Sequence, residues 1–331
     1  MKALILSTFI CFILFNSILN YEPPDDLFSL LLNKVRKDVV KSLISNLPGR
    51  MNINILQMLQ TMANEKEIAN LSDIEAAFLI YKWIGENIRI NCIDRYKEDE
   101  SAVKVYNSGE GSVTGISTLF NTMCYHMNIK SGSIDGFTKI KSFSSYLKYI
   151  ETKHMWNYIL IDNTKYLIDS ALGTGFCTDN SFTKTYTNLY FGIKPEILIK
   201  MNFPKEEEFQ LTNKNITQYE WGEIAFRDRY FYLYGLINLY PEGKYLYLKK
   251  VDSITIQYDS SNSDISVVGQ IYYNDNYGEE LIFNQVTYNR GSAEISLKDW
   301  NRYYNNPIRL EIYVGKKSNP WEKLCVIIST Q

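Results

Sequence analysis

Residues 153–175 read KHMWNYILIDNTKYLIDSALGTG, and the interpretation of the whole chain depends on this stretch. Two apolar runs rich in β-branched and aromatic residues predict short strands, and Asp162-Asn163 between them is typical of a tight hairpin turn. With those two residues as the loop, His154 and Asp169 become diagonal neighbours on one face of the hairpin. The pattern therefore predicts contact between an imidazole and a carboxylate.

An imidazole oriented by a carboxylate is the base half of a nucleophilic triad. The alternative is a polar pair at the rim of a sheet, with no chemical role. The hairpin contains no nucleophile, so these residues alone leave both interpretations open.

Composition sets outer limits on the function. The chain has 331 residues, 45% of them hydrophobic, which is enough for two domains and a sizeable core. The net charge is −2 and no long basic run occurs, which argues against a nucleic-acid partner. Only two histidines are present, and no Cys/His spacing suggests zinc, so we predict neither a metal site nor a cofactor.

The N-terminus resembles a targeting segment. Lys2 precedes a charge-free apolar run that continues to Leu19, without a good small-residue cleavage site after it. We interpret residues 1–20 as a signal peptide, with a short uncleaved anchor as the alternative and a buried core helix as a weaker one. Either of the first two sends the chain into the secretory pathway, to be secreted or held at the cell surface, and any membrane contact is through this segment.

Export makes the cysteines and the glycosylation sequons relevant. Four cysteines remain beyond the targeting segment, and they permit three pairings among which the sequence cannot choose: Cys92, Cys124, Cys177 and Cys325. Asn70-Leu71-Ser72 and Asn215-Ile216-Thr217 are sequons, so Asn70 and Asn215 are candidate glycosylation sites.

Helical patterns precede the hairpin. Residues 25 to about 69 have helical apolar spacing, and Ser72-Asp73-Ile74-Glu75 is a capping box that predicts a helix start. After a polar loop, Gly111 and Gly115 flank Val113, and the spacing that follows predicts another helix from about Thr114. The dipole and free amides at such a helix start favour a thiolate and steady an oxyanion.

The order of these motifs resembles the transglutaminase-like superfamily within the papain-like cysteine peptidases, and its kyphoscoliosis-peptidase branch in particular. The resemblance covers roughly residues 70 to 245. It rests on five stretches of the chain, namely IYKWIGENI (80–88), the Gly-rich helix start, HMWN (154–157), LID (167–169) and NLYFGIKPEILIKMNFPKEEEFQL (188–211). It implies an α+β core of helices packed on an antiparallel sheet, with His154 and Asp169 in the positions of the catalytic His and Asp.

One departure matters for function. In the family, the nucleophilic Cys lies in the motif Gly-x-Cys-x-Gly-Tyr-x-x-Leu-Phe, and this chain reads GSVTGISTLF over the corresponding residues 111–120. The resemblance therefore assigns the missing Cys to Val113, whose side chain can neither ionise nor attack a carbonyl. Ser112 and Thr114 flank Val113. We predict that they line a binding cleft together with Trp156 and Asn157, at the place where the family has its active site.

The chain beyond residue 250 has a different pattern. Short strand-like runs separated by turn residues recur to the C-terminus, which predicts an antiparallel β-sandwich of about eighty residues. Its likeness to immunoglobulin-like modules is architectural only. We predict a leader over residues 1–20, a transglutaminase-like domain over 21–245 and a β-sandwich domain over 246–331.

These observations favour a catalytically inactive, transglutaminase-like binding or adhesion module, in which His154 and Asp169 are a vestigial pair and the partner is an unidentified protein or peptide. The alternative is a peptidase or acyltransferase with a displaced nucleophile, Ser112 or Thr114. A third interpretation is a structural surface protein for which the cleft has no role.

Overall fold

The structure is a computed structural model that describes residues 23–142, 149–246, 251–273, 281–283, 286–297 and 307–330. The predicted leader over residues 1–20 lies outside these ranges. Within them, no helix is both long and apolar enough to cross a membrane.

Helices dominate the part of the chain before the hairpin. Six are α1 Asp25–Phe28, α2 Lys37–Asn46, α3 Ile55–Ile68, α4 Asp73–Asn87, α5 Ala102–Ser108 and α6 Val113–His126. The predicted capping box is confirmed, since Ser72 Oγ accepts from Glu75 N and the Glu75 carboxylate accepts from Ser72 N. Glu75 also pairs with Arg36, so the same carboxylate anchors the segment before α2 to the start of α4.

Helix α4 is buried on almost every side, which explains its nearly continuous apolar sequence. Tyr81, Trp83 and Ile84 are each at most 2% exposed, and Tyr81 donates from its hydroxyl to Thr187 O at 2.6 Å. A helix that is hydrophobic all round belongs in the centre of a fold rather than on its surface. Helix α4 is therefore the centre of the helical layer.

The middle of the chain contains the strands of the central sheet, two small strand pairs and four short helices. The first strands are β1 Arg89–Ile90 and β2 Glu110–Gly111, which pair in parallel, then β3 Ser131–Lys141, β4 Tyr149–Ile161, β5 Thr164–Ile168, β6 Gly175–Thr178, β7 Ser181–Lys184, β8 Phe191–Ile193 and β9 Asn202–Pro204. Four short helices follow the hairpin: α7 Ser170–Thr174, α8 Pro195–Leu198, α9 Gln218–Gly222 and α10 Arg229–Leu233.

The central sheet is antiparallel and five-stranded, in the order β8-β5-β4-β3-β9, and β6 and β7 form a separate hairpin. Helix α6 packs on β3 and β4. Asn157 on β4 fixes this packing, because its Nδ2 donates to the main-chain oxygen of Ser117 and to its hydroxyl at 3.1 and 2.8 Å. The N-terminal half of α6 is thereby held over the strand that contains His154.

The last part of the chain forms two β-sheets. Their strands are β10 Phe226–Arg227, β11 Leu236–Tyr240, β12 Tyr245–Leu246, β13 Ser253–Tyr258, β14 Ile265–Tyr273, β15 Leu281–Phe283, β16 Val286–Asn289, β17 Ser292–Ser296, β18 Pro307–Lys316 and β19 Asn319–Thr330. One sheet has the order β10-β19-β18-β14-β15 with β12 added in parallel on β19, and the other is β11-β13-β17-β16.

The two sheets pack face to face. A Cβ built on Gly269 of β14 would lie 3.1 Å from Ile295 Cγ2 of β17, and the Tyr288 hydroxyl of β16 accepts from Val267 N at 2.8 Å. Inward residues such as Ile254 and Ile312 are fully buried. The predicted α+β class, with helices on an antiparallel sheet followed by further antiparallel sheets, is confirmed.

The predicted boundary between residues 245 and 246 stays a prediction. Strands β10 and β11 precede it in the chain, yet they pair with β19 and β13 of the two C-terminal sheets. The buried hydrophobic cluster that includes Tyr81 and Phe191 also includes Ile256 and Ile312. Strands from residue 226 onward thus contribute to the C-terminal sheets, and one core serves both parts.

Candidate functional site

The β4–β5 hairpin has the predicted register. Asp162 and Asn163 have positive φ values of 49° and 62°, which both central residues of a type I′ turn require. Ile161 pairs with Thr164 and Asn157 pairs with Ile168, as a two-residue loop at these positions demands. The turn therefore sets which strand residues face each other, and Asp169 follows β5 directly.

His154 and Asp169 form a buried pair. Nε2 of His154 lies 2.6 Å from Oδ2 of Asp169, and the two side chains are 2% and 0% exposed. Asp169 also accepts from Asn202 Nδ2 at 2.9 Å and, as the N-cap of α7, from Leu172 N at 2.8 Å. Because Nε2 is engaged by Asp169, Nδ1 is the ring nitrogen left for another partner.

Trp156 and Asn157 belong to the packed support of this pair. The Trp156 ring stacks beside His154 with centroids 6.0 Å apart, and it is 1% exposed. Asn157 is fully buried, donates to Ser117 and accepts from the Ser170 hydroxyl at 2.7 Å. Both residues position the histidine strand, while the predicted role for them in binding stays a prediction.

Val113 is the first residue of α6, and Ser112 is its N-cap. Three amides at this helix start are bound by acceptors from the chain itself. Ser112 N donates to Glu100 Oε2 at 2.6 Å, Val113 N to Arg95 O at 2.8 Å, and Gly115 N to Ser112 Oγ at 3.1 Å. Amides that are already hydrogen-bonded cannot also hold an oxyanion in this conformation.

Glu100 places a negative charge against the same helix end. Its side chain is 4% exposed, and a Cβ at Gly115 would lie 2.6 Å from its Oε2, so only a glycine admits the carboxylate here. Burial opposes ionisation of Glu100, but the hydrogen bonds from Ser112 and Lys104 lower its pKa. The carboxylate is thus an internal partner for the positive end of the α6 dipole.

Val113 and His154 line one small cavity, which we call the His154 cavity. Its other walls include Arg95, Leu172 and Cys177, and its volume of about 20 Å³ admits roughly one water molecule. Ser112 and Thr114 do not line it. The structure therefore brings Val113 and His154 together at this cavity and directs the flanking hydroxyl groups elsewhere.

Neither flanking hydroxyl group is engaged with the histidine. Ser112 Oγ accepts from Gly115 N and lies close enough to Glu100 to help lower the pKa of that carboxyl group. Thr114 Oγ1 is buried without a hydrogen-bond partner in the described part of the chain. A hydroxyl in either position is not prepared by His154 for attack.

Three cysteine side chains are described, and they form one bridge and one buried thiol; the side chain of Cys325 lies outside the described part of the structure. Cys92 and Cys177 form a disulfide beside the His154 cavity, which the sequence left open among three pairings. Cys124 lies within α6, fully buried and unpaired, and burial raises its pKa well above the ordinary thiol value. Cys124 is therefore a core cysteine whose thiol stays protonated near neutral pH.

The sequon residues Asn70 and Asn215 are both exposed. Asn70 follows the C-cap of α3 and has a positive φ of 49°. Asn215 lies in the loop before α9, where its Nδ2 donates to Glu207. No group of three or more His, Cys, Asp or Glu side chains that could hold a metal ion occurs among the residues described.

Sequence reasoning missed three residues of the site: Asn202, Glu100 and Arg95. Asn202 comes from β9, at the far edge of the sheet, and no local pattern connects it to the hairpin. Glu100 and Arg95 lie in a polar loop whose composition resembles any surface loop. Only the glycine at position 115, which leaves room for the carboxylate, was a usable signal.

Sequence comparisons with known proteins match the part of the chain that contains the helices and the central sheet. Residues 60–168 match the model of the transglutaminase-like superfamily. The chain is 24% identical over 177 residues to a protein named kyphoscoliosis peptidase from Mus musculus, a match that covers 52% of this chain and 27% of that protein. It is 22% identical over 180 residues to hillarin from Drosophila melanogaster, covering 50% of this chain and 22% of hillarin.

These matches span only about a quarter of the relatives' lengths. A solved structure, described as a crystal structure of a TGase, is similar with a TM-score of 0.25 and 12% identity over 55% of this chain and 40% of the other. A score this low supports no conclusion. From the family model and the sequence relatives, the chain contains a transglutaminase-like domain, and kyphoscoliosis peptidases are among its homologues.

Proposed function

We propose that this chain is a non-catalytic, transglutaminase-like protein that is exported and acts outside the cell or at its surface as a binding module. The observation that carries the proposal is Val113, an apolar side chain at the helix start that lines the same cavity as His154. In the family that the sequence resembles, this position supplies the nucleophile.

The state of the helix start supports the same proposal. The amides of Ser112, Val113 and Gly115 already donate to acceptors within the chain, and the Glu100 carboxylate lies against them. A negative charge at this point disfavours both a thiolate and an oxyanion. A displaced nucleophile, Ser112 or Thr114, has no contact with His154 to support it.

Export is supported by two features of the described residues. Disulfides persist mainly in oxidising compartments, and Cys92–Cys177 is such a bridge. The sequon residues Asn70 and Asn215 are exposed and therefore accessible to glycosylation. Expression in a secretory host, with Asn70→Gln and Asn215→Gln as mobility controls, tests this part. Retention of the wild-type protein in the cytosol would contradict it.

The test of inactivity compares four proteins in peptide-hydrolysis and amine-incorporation assays: wild type, Ser112→Ala, Val113→Cys and Val113→Cys/His154→Ala. We expect no turnover by the wild type. Wild-type turnover that disappears in Ser112→Ala would refute the proposal and establish the displaced nucleophile.

The Val113→Cys arm asks whether position 113 is the old nucleophile site. The imidazole favours a thiolate and the Glu100 carboxylate, which offsets the helix dipole, opposes it. Because the imidazole lines the same cavity as position 113, we expect it to prevail, so the new thiol should titrate below the ordinary value of about 8.5 when followed by thiolate absorbance. His154→Ala should raise that pKa again, and Glu100→Gln should lower it further by removing the opposing charge. A thiol pKa that is the same with and without His154→Ala and Glu100→Gln would mean that position 113 does not face the histidine.

A further inference from the structure

A second cavity adjoins the His154 cavity. Its volume is about 50 Å³, and the two cavities share Thr138, Ile140, Leu172 and Cys177 in their walls. The second cavity continues from the central sheet to residues 226–229, the start of the C-terminal sheets. We call the two together the basic cleft.

The charge of its lining is one-sided. One acidic residue, Asp228, and six basic residues lie in the walls of the basic cleft. The basic residues are Arg95, Lys139, Lys141, Lys153, Arg227 and Arg229. The protein as a whole carries a net charge of −2, so this concentration of positive charge does not reflect its composition. Walls of one sign with low-dielectric surroundings attract ligands of the other sign.

Most of these basic side chains interact with neutral groups rather than with carboxylates. Lys139 Nζ donates to the carbonyls of Trp221 and Ile224, both at 2.7 Å. Arg229 donates to three backbone carbonyls, Thr185, Leu172 and Gly175. Carbonyls satisfy hydrogen bonds but cancel no net charge. The carboxylates that act on Lys139 and Arg95, namely Glu151, Glu223 and Asp179, form no ion pair with them and offset their charge only in part.

Lys153 and Arg95 follow the same pattern. Lys153 lies over the Tyr96 ring at 5.3 Å, and Arg95 donates to the carbonyls of Cys92 and Asp179. Both groups interact with neutral atoms or a ring face, and neither has an ion pair among the described residues.

Arg227 adds unused hydrogen-bonding capacity. Its side chain is fully buried and donates from Nη2 to Glu242 at 2.8 Å. Its Nε and Nη1 have no hydrogen bond of normal geometry among the described residues. The nearest candidate is the Tyr232 hydroxyl, on whose pKa Arg227 acts through its charge and as a hydrogen-bonding neighbour. A buried guanidinium with unpaired N–H groups is costly unless something pairs with it.

The size of the second cavity limits what can enter. A water molecule needs about 10–15 Å³ on this measure, so 50 Å³ holds roughly three to five heavy atoms. A carboxylate with its adjoining methylene has that size, and guanidinium and ammonium groups pair strongly with it.

We propose that the basic cleft binds a carboxylate presented by a peptide, either an acidic side chain or a chain terminus. This proposal names the ligand chemistry of the module and rests on the proposed binding function. The carboxylate enters beside residues 226–229, and the rest of the peptide extends past the exposed Lys153 toward the His154 cavity.

The test uses the secreted full chain and four synthetic peptides of equal length. Three are blocked at both ends and differ only in repeated Glu, Gln or Lys; the fourth is the Gln peptide with a free C-terminal carboxylate. We expect binding of the Glu peptide that weakens as salt is added. Binding of the free-carboxylate Gln peptide instead would assign the chain terminus as the source. Equal binding of the blocked Glu, Gln and Lys peptides would overturn the proposal.

Charge reversal locates the site. Lys153→Glu and Lys141→Glu should each weaken the Glu peptide roughly tenfold or more, because each places a like charge beside the ligand. Lys41→Glu, on the exposed face of α2, is the matched control and should leave the dissociation constant within about twofold. An equal loss in the control would show a nonspecific charge effect and would also overturn the proposal.

The two proposals fail separately. Turnover by the wild type would refute the non-catalytic function and leave carboxylate binding intact. Absence of peptide binding in a wild type without turnover would refute only the carboxylate proposal.

Discussion

Replacing Asp169 by alanine should reveal what the buried pair contributes to stability. The carboxylate accepts from Leu172 N, Asn202 Nδ2 and the His154 ring, all in a site closed to solvent. Removing it leaves two amides and an imidazole without their acceptor. Each hydrogen bond to a charged group is worth about 1.5–3 kcal/mol, and breaking a buried pair costs about 3–5 kcal/mol in total. We expect Asp169→Ala to lower the free energy of unfolding by about 3–5 kcal/mol.

The assay is urea unfolding of wild type, Asp169→Ala, His154→Ala and the double variant. If the pair stabilises the fold, the cycle should give a coupling energy of about 1–3 kcal/mol between the two residues. Asp94→Ala is the matched control, because Asp94 is exposed and forms a surface ion pair with Lys97 that is worth at most about 1 kcal/mol. An Asp169→Ala cost near that of the control would refute the reasoning. The retained pair would then need a chemical explanation.

Three further outcomes are expected from urea unfolding. Burial lowers the pKa of Lys139 from 10.5 to about 8. Between these two pH values the unfolded chain binds more protons than the folded one, so the free energy of unfolding rises with pH. Lys139→Met should remove a rise of about 3 kcal/mol, and an unchanged slope of the free energy of unfolding against pH would contradict this. The Arg36 hydrogen bond lowers the pKa of Glu75 from 4.5 to about 2 against the effect of burial. The carboxylate therefore stabilises the fold above about pH 4.5 and loses this effect toward pH 2, and Glu75→Gln should remove about 1–2 kcal/mol of acid dependence, because Arg36 is half-exposed. Cys92→Ser removes a disulfide between residues 85 apart in the sequence and should lower the free energy of unfolding by about 3–4 kcal/mol. Equal urea midpoints of the wild type with and without reductant would show that the disulfide is absent.

The hairpin was predictable because its information is local. Asp162-Asn163 determines the turn, the turn determines the register, and the register brings His154 to Asp169. The capping box at Ser72 was predictable for the same reason, since its residues are three apart in the sequence. In both cases one short stretch contains every group involved.

The rest of the site depends on contacts that no short stretch contains. Asn202 reaches Asp169 from an edge strand, and Glu100 reaches Ser112 N from a loop with no regular pattern. The disulfide joins Cys92 to a cysteine 85 residues away, and four thiols gave no basis for choosing it. Tertiary packing alone sets these distances, so single-sequence patterns could not supply them.

The pairing of β10 and β11 with the C-terminal sheets has a practical consequence for anyone who truncates this protein. A cut after residue 245 would remove β13 and β19, and so leave the main chain of residues 226–227 and 236–240 without its strand partners. Unpaired edges of this kind recruit other chains and aggregate. The transglutaminase-like part should therefore be insoluble when produced alone from residue 21 to 245, and soluble when the whole chain is produced.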